Sequence, residues 1–243
     1  MRLTRVHVAE PLTPGHRQTI EGDAANHITR VLRLKPGDPL ILFDGRGGEH
    51  AASIEAFRKD AVIVAVGDRS PATRESALSL TLAQGVSRGE RMDWVIQKAA
   101  ELGVTCIVPV MTERTVVKLD AKQAERKLAH WRGIAVAACE QSGRDRLPDI
   151  DSPLPLHDFL ARIDPRATLV LLSHSGTQHV NDLKPPDAGI VVLIGPEGGL
   201  AENEHHAAQS AGFRPVSLGP RVLRTETAAV AALTLLQHQF GDL

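Results

Sequence analysis

Residues 190–199 read IVVLIGPEGG, five consecutive apolar residues followed by a turn that holds Gly195, Gly198 and Gly199. An unbroken apolar run of that length, bounded by glycine, marks a strand buried on both faces, the kind a parallel sheet uses. Glycine admits positive φ and lets a ligand approach the backbone closely. In open α/β sheets, ligands settle outside the carboxyl ends of the strands. The turn is therefore either a structural strand-to-helix connection or a ligand loop. A phosphate cradle fits poorly, because there is no Gly-Lys-Ser/Thr and no GxGxxG, and Glu197 repels phosphate. An uncharged or cationic ligand fits better.

Two further segments repeat the pattern. A strand expected at 214–218 runs into LGPRVLRTETA (218–228), and one expected at 168–172 runs into Ser173, His174, Ser175 and Gly176. These turns are expected to face one pocket, with a helix-start ion pair among Arg221, Arg224 and Glu226 as the alternative for the second. Strands are also expected at 78–83 and 105–110, alternating with helices, which predicts an α/β class with a mostly parallel sheet. The first helix opens on Ser87-Arg-Gly-Glu90, a capping-box spacing, places Met92, Val95, Ala99 and Leu102 along one face, and ends at Gly103. A basic helix is expected at 121–141. Another starts near Glu202 and Glu204, whose charge suits a helix N-terminus, and a last one spans 225–239.

Upstream, apolar stretches at 3–8, 39–43 and 61–66 alternate with Pro14-Gly15, Pro36-Gly37-Asp38 and the turn at 44–48. This reads as a small β-barrel or sandwich with one inserted helix, capped by Asp23 and facing inward through His27, Val31 and Leu34. The polar stretch 67–76 is the expected boundary, giving domains at 1–72 and 73–243.

Composition narrows the function. The 243 residues include 42% hydrophobic side chains, the mix of a globular chain able to bury a core. Apolar runs such as 168–172 and 228–236 fall well short of the ~20 residues of a membrane span, and MRLTRVHVAEP has no signal-peptide core. A cytoplasmic protein with no membrane partner is expected. Cys106 and Cys139 lack ligand spacing, so two buried, reduced thiols are expected and no metal site, His174 and His179 included. Net charge is −1, yet residues 88–146 carry 11 Lys and Arg against 8 Asp and Glu, while 147–243 carries 6 against 11. That basic middle is either solvated helix face or a nucleic-acid contact. With no Tyr, two Trp and five Phe, base stacking on aromatic platforms is excluded as the main mode of any RNA binding.

The segments HITRVLRLKPGD (27–38), RMDWVIQKAAELGV (91–104), TERTVVK (112–118), EQSGR (140–144), IGPEGGLAENE (194–204) and LGPRVLRTETAAVAAL (218–233) resemble the RsmE family. These are SPOUT-class 16S ribosomal RNA uridine N3-methyltransferases, and the likeness covers nearly the whole chain. The resemblance implies a PUA-like β-barrel followed by a SPOUT parallel-sheet domain with a C-terminal deep trefoil knot. It implies a homodimer acting on 16S rRNA in the small ribosomal subunit, and S-adenosylmethionine bound by loops 172–176, 194–199 and 218–228. The cofactor residues so implied are Leu172, Ser173, Ile194, Gly195, Pro196, Glu197, Gly198, Gly199, Leu218, Gly219, Val222, Leu223, Arg224, Thr225, Thr227 and Ala228. The loop 173–179 matches the family pattern only loosely, and position 88 is Arg where relatives often have Lys.

Methylation of ring nitrogen 3 requires loss of an imide proton. A carboxylate of ordinary pKa, ~4.3, is a poor base for it unless burial raises that value. A fixed guanidinium that stabilises charge developing on the flanking carbonyl oxygens is the easier route. Arg224 is the first candidate, Arg144 from the other subunit the second, and Glu140 or Glu226 is either a partner in a structural ion pair or, if desolvated, a base. RNA contacts are expected from His27, Arg30 and Arg33 in the barrel and from Arg88, Arg91, Lys98 and Arg114. The alternatives are another target nucleotide or transfer RNA, and a catalytically silent RNA-binding protein. A dinucleotide-dependent oxidoreductase is contradicted by the missing fingerprint.

Overall fold

The computed structural model describes residues 3–70 and 74–243 and divides into two compact units, 1–75 with 139–147, and 76–138 with 148–243. The expected boundary between 72 and 73 falls within 71–73, outside the described residues.

In the first unit, β1 (Arg5–His7), β2 (Arg17–Glu21), β3 (Pro39–Phe43), β4 (Glu49–Arg58) and β5 (Ala61–Ser70) form a five-stranded sheet in the order β1-β3-β4-β5-β2. The β1–β3 pair is parallel and the remaining pairs are antiparallel. Every strand contributes to one core, through Val6, Ile20, Leu42, Ile54 and Val64. The inserted helix is short, α1 (Gly22–Asn26) running into a π turn at His27–Val31. Its inward face is Ala25 and Ile28, not the expected His27 and Val31. Val31 is 67% exposed, because the π turn changes the rotation per residue on which the 3.6-residue reading relied. Asp23 lies inside α1, and the cap position is Glu21, which makes no side-chain cap. The segment 139–147 is held to this unit by buried charge: the Arg5 side chain donates to the Arg144 carbonyl at 2.9 Å while pairing with Glu49, and Gly48 N–H donates to Asp145 at 2.8 Å.

In the second unit, β6 (Leu80–Gly85), α2 (Glu90–Glu101), β7 (Cys106–Met111), α3 (Ala121–Ser142), β8 (Asp149–Ile150), β9 (Leu154–Pro155), α4 (Leu156–Leu160), β10 (Thr168–Leu172), β11 (Ile190–Ile194), α5 (Glu202–Ser210), β12 (Arg214–Val216) and α6 (Thr225–Phe240) follow in chain order, the last turn of α3 grouping with the first unit. The sheet order is β12-β10-β11-β6-β7-β8, all parallel, with β9 pairing to β7. Side chains alternate across it. Leu80, Leu82, Ile190, Val192 and Ile194 face a core shared with α2, the middle of α3 and α6, through Met92, Trp131 and Leu233. Ala83, Val108, Leu171 and Leu193 face a second core closed by Phe159 and Ala208 from α4 and α5. Burial on both faces is why these strands read as continuous apolar runs.

Two local expectations need correction. Ser87 does not cap α2; the cap position is Gly89 at φ +58, and the Ser87 hydroxyl donates to the Gly85 carbonyl instead. Cys139 is buried, whereas Cys106 is only half-buried. Burial pushes both thiols up, to about 11 and about 12 respectively, so they stand protonated near neutral pH. No helix among the described residues is long and apolar enough to cross a membrane.

Candidate active site

Three neighbouring strands, β12, β10 and β11, end at the same edge of the sheet, and the turns that follow them enclose a cavity of about 590 Å³. That volume suits a ligand of cofactor size. Its walls are 172–175, 194–200 and, from the third segment, Val216, Leu218, Gly219 and 221–226 with Ala228, closed by Arg91, Arg114 and His205. Of the expected cofactor residues, Leu172, Ser173, Ile194 to Gly199, Leu218, Gly219, Val222 to Thr225 and Ala228 all line it, and Thr227 does not. Thr227 lies in α6 with its side chain exposed.

The turns are tied together by hydrogen bonds. Ser173 N–H donates to the Val216 carbonyl at 3.0 Å, and Ser217 N–H to Gln178 at 2.8 Å. Thr225 Oγ1, in the first turn of α6, donates to the Gly195 carbonyl at 2.7 Å and accepts from Gln84 Nε2 at 2.9 Å. Gln84 is fully buried at the end of β6. The sequence reading overlooked it, although a lone glutamine closing the apolar run LTLA was the available signal. Gly85, next to it, packs directly on the turn: a Cβ there would stand 2.4 Å from Pro196 N. Gly199 adopts φ +68, which favours glycine.

Charge at the cavity is arranged, not diffuse. Arg91 Nη1 donates to Glu197 Oε1 at 2.8 Å, and its Nε lies 3.9 Å from Glu226 Oε1. Burial pushes the Glu197 carboxyl up, but the Arg88 N–H, its own N–H and Arg91 outweigh this and hold it below the usual carboxylate range. Glu226 Oε2 is buried with no hydrogen-bond partner among the described residues. Arg114 Nη1 donates to the Gly198 carbonyl at 2.9 Å. Arg224, by contrast, lines the cavity with no ion-pair partner among the described residues. Val222 supplies an apolar wall that is 80% exposed.

The remaining expected residues are distributed as follows. Arg144 is 3% exposed in the first unit, its guanidinium donating to Glu75 Oε2 at 2.7 and 3.0 Å. Glu140, in the same unit, accepts the His7 N–H at 2.9 Å, and burial raises its pKa against that hydrogen bond. Neither lines the cavity. His27, Arg30 and Arg33 are exposed on and beside the π turn. Arg88 is exposed. Arg91 and Arg114 reach the cavity as described, and Lys98 pairs with Glu101 at 2.7 Å on α2. No group of three His, Cys, Asp or Glu among the described residues is placed to hold a metal ion.

The chain matches the model of the RNA methyltransferase domain over residues 74–237 and that of the RNA methyltransferase PUA domain over 20–67. It is 32% identical to ribosomal RNA small subunit methyltransferase E of Buchnera aphidicola over 242 residues, covering 100% of this chain and 98% of the relative. It is 33% identical to the protein of the same name from Bacillus subtilis, covering 91% and 90%. Among solved structures, a Legionella pneumophila methyltransferase with bound SAM aligns over 100% of both chains at 40% identity and a TM-score of 0.96. Ribosomal RNA small subunit methyltransferase E from Neisseria gonorrhoeae, bound to S-adenosyl methionine, does so at 36% and 0.94. An α/β unit with a parallel sheet, a PUA-like N-terminal unit and full-length similarity at this level together place the chain in the ribosomal RNA small subunit methyltransferase E family of RNA methyltransferases.

Proposed function

We propose that this protein methylates ring nitrogen 3 of a uridine in the 16S ribosomal RNA of the small ribosomal subunit, using S-adenosylmethionine. The observation that carries the reading is the cavity itself: the three turns that resemble the family's cofactor loops converge on one space of about 590 Å³. The donor set suits this cofactor. It combines glycine backbone and an apolar wall with carboxylates, and an adenosine sulfonium has no phosphate for Glu197 to repel. The residues lining the cavity would hold it, with Thr227 left to support the first turn of α6.

When bound, the cofactor supplies an electrophilic methyl carbon on its sulfonium. The protein's own residues do the rest. Arg224, which lines the cavity with no ion-pair partner among the described residues, stabilises negative charge on the uracil carbonyl oxygens as the ring nitrogen gives up its proton, and a fixed cation is most effective where water is excluded. Arg144, contributed by the second subunit of a homodimer, reinforces that charge once released from Glu75. Glu140, supplied like Arg144 by the second subunit, takes up the proton, a role favoured by the burial that raises its pKa against the His7 N–H bond. Arg91 and Arg114 hold the 195–199 turn in shape and present their remaining donors to RNA. His27, Arg30 and Arg33 contact phosphates from the PUA-like unit, with Arg88 and Lys98 on the other unit. Such contacts position RNA without reading its sequence.

The threading of residues 217–243 through a deep trefoil knot belongs to the same proposal, supported by the mutual hydrogen bonding of the turns after β10, β11 and β12. So does a cytoplasmic location, where ribosomal subunits are found. The test is methyl transfer from labelled S-adenosylmethionine to small subunits lacking the modification, followed by nucleoside mass spectrometry. Labelled N3-methyluridine is the expected product. A different labelled nucleoside, or cofactor binding without transfer, overturns the assignment.

A further inference from the structure

The first turns of α3 carry a surface that the reaction leaves unused. A second cavity, of about 450 Å³, lies between the segment 117–119 and α3 and is lined by Lys118, Arg126, Lys127 and His130 over Val117 and Leu119. At 3.6 residues per turn, positions 123, 126, 127 and 130 share one face of the helix while Glu125 falls nearly opposite. No carboxylate lines the cavity. The nearby Asp120 is occupied, accepting the Gln123 N–H at 2.8 Å. His130 is paired with Asp93 at 2.8 Å, yet Lys118, Lys122, Arg126 and Lys127 make no ion pair among the described residues. These four cations fall within residues 118–127. Lys122 and Arg126 stand at i,i+4, where like charges cost helix stability.

We propose that this groove grips the phosphate backbone of the RNA substrate, with Lys118, Arg126 and Lys127 as the contacts. The inference rests on reading that substrate as ribosomal RNA. The groove's lining has no Phe, Tyr or Trp on which a base would stack, and its one imidazole, His130, is held by Asp93. Three cations on long stems over an apolar floor suit phosphates, which the stems reach while their methylenes stay on Val117 and Leu119. The contact is sequence-independent and adds to the footprint of His27, Arg30 and Arg33.

The double variant Arg126→Ala with Lys127→Ala tests it. Binding of a 16S rRNA transcript is titrated across a salt series, alongside KM for small subunits, cofactor affinity and Tm. Removing two phosphate contacts lowers the slope of log K against log salt by about 1.4 to 1.8 and raises KM for subunits, with kcat at saturating RNA and cofactor affinity unchanged. The exchange Arg126→Lys with Lys127→Arg keeps the wild-type slope. An unaltered slope in the double alanine variant overturns the groove, as does loss of slope in the charge-preserving exchange, which marks a structural role. If the wild-type protein modifies no subunit, the proposed reaction fails, and the transcript slopes still decide the groove on their own.

Discussion

Thr225→Val removes the pin between the first turn of α6 and the 195–199 turn while preserving side-chain shape. Thr225 is 7% exposed, and its hydroxyl makes two hydrogen bonds, donating to Gly195 O at 2.7 Å and accepting from Gln84 Nε2 at 2.9 Å. Each such bond contributes about 1 kcal/mol net. The groups left behind are only partly orphaned. Gln84 Nε2 keeps Gly85 O at 3.0 Å and lies 3.4 Å from Gly195 O. The desolvation penalty therefore stays at its low end, and the total loss is about 2 to 3 kcal/mol. At ~2–4 °C per kcal/mol for a protein of this size, Tm falls by about 4–12 °C. Scanning calorimetry measures that fall, and titration calorimetry measures the weaker binding of S-adenosylmethionine that accompanies a loosened turn. The exposed substitution Gln97→Ala serves as the control. A Tm for Thr225→Val no lower than the control's, with cofactor affinity intact, refutes the idea that this hydroxyl holds the two turns together.

Arg224→Ala should lower kcat at saturating RNA and cofactor by roughly 10²–10³-fold, the usual cost of deleting a charge-stabilising donor; full turnover in a steady-state methylation assay contradicts the role given to Arg224. Folding favours ionised Glu197, whose pKa lies below its ordinary 4.5, so its contribution is present above that value and lost as pH falls through the folded pKa. Glu197→Gln is accordingly less stable than wild type at neutral pH, and the gap in Tm closes on acidification; a pH-independent gap speaks against the mechanism. Gly85→Ala drives a Cβ to 2.4 Å from Pro196 N and 2.8 Å from Gly195 C, costing about 1–3 kcal/mol by overpacking, readable as a lower denaturation midpoint with weaker cofactor binding. Arg30→Ala with Arg33→Ala should flatten the salt dependence of RNA binding, and an unchanged slope removes the π turn from the footprint.

The sequence by itself determined the α/β class, the five longer strands of the second unit apart from their exact ends, and the three turns that form the cavity, while β2, β4, β8 and β9 went unread. These features are local: a buried parallel strand must be apolar throughout, and a turn that ligand or backbone approaches closely must be glycine-rich, so both leave continuous marks in the chain. The resemblance of the GPEGG and LGPRVLRTETA segments to known loops then tied those marks to a chemistry that periodicity alone does not specify. Tertiary structure decided what depends on distance in the chain. The pairing of Arg91 with Glu197, 106 positions apart, made a partner of a residue that had read as a phosphate contact. The burial of Arg144 against Glu75 came the same way, and so did the Gln84–Thr225 contact across 141 positions. The inward face of α1 was misread because a π turn shifts side-chain phase, and the first unit accepts that shift to bury Ile28 completely. Ion pairs and hydrogen bonds between distant segments depend on where the backbone brings each group, and no pattern of neighbouring residues encodes that.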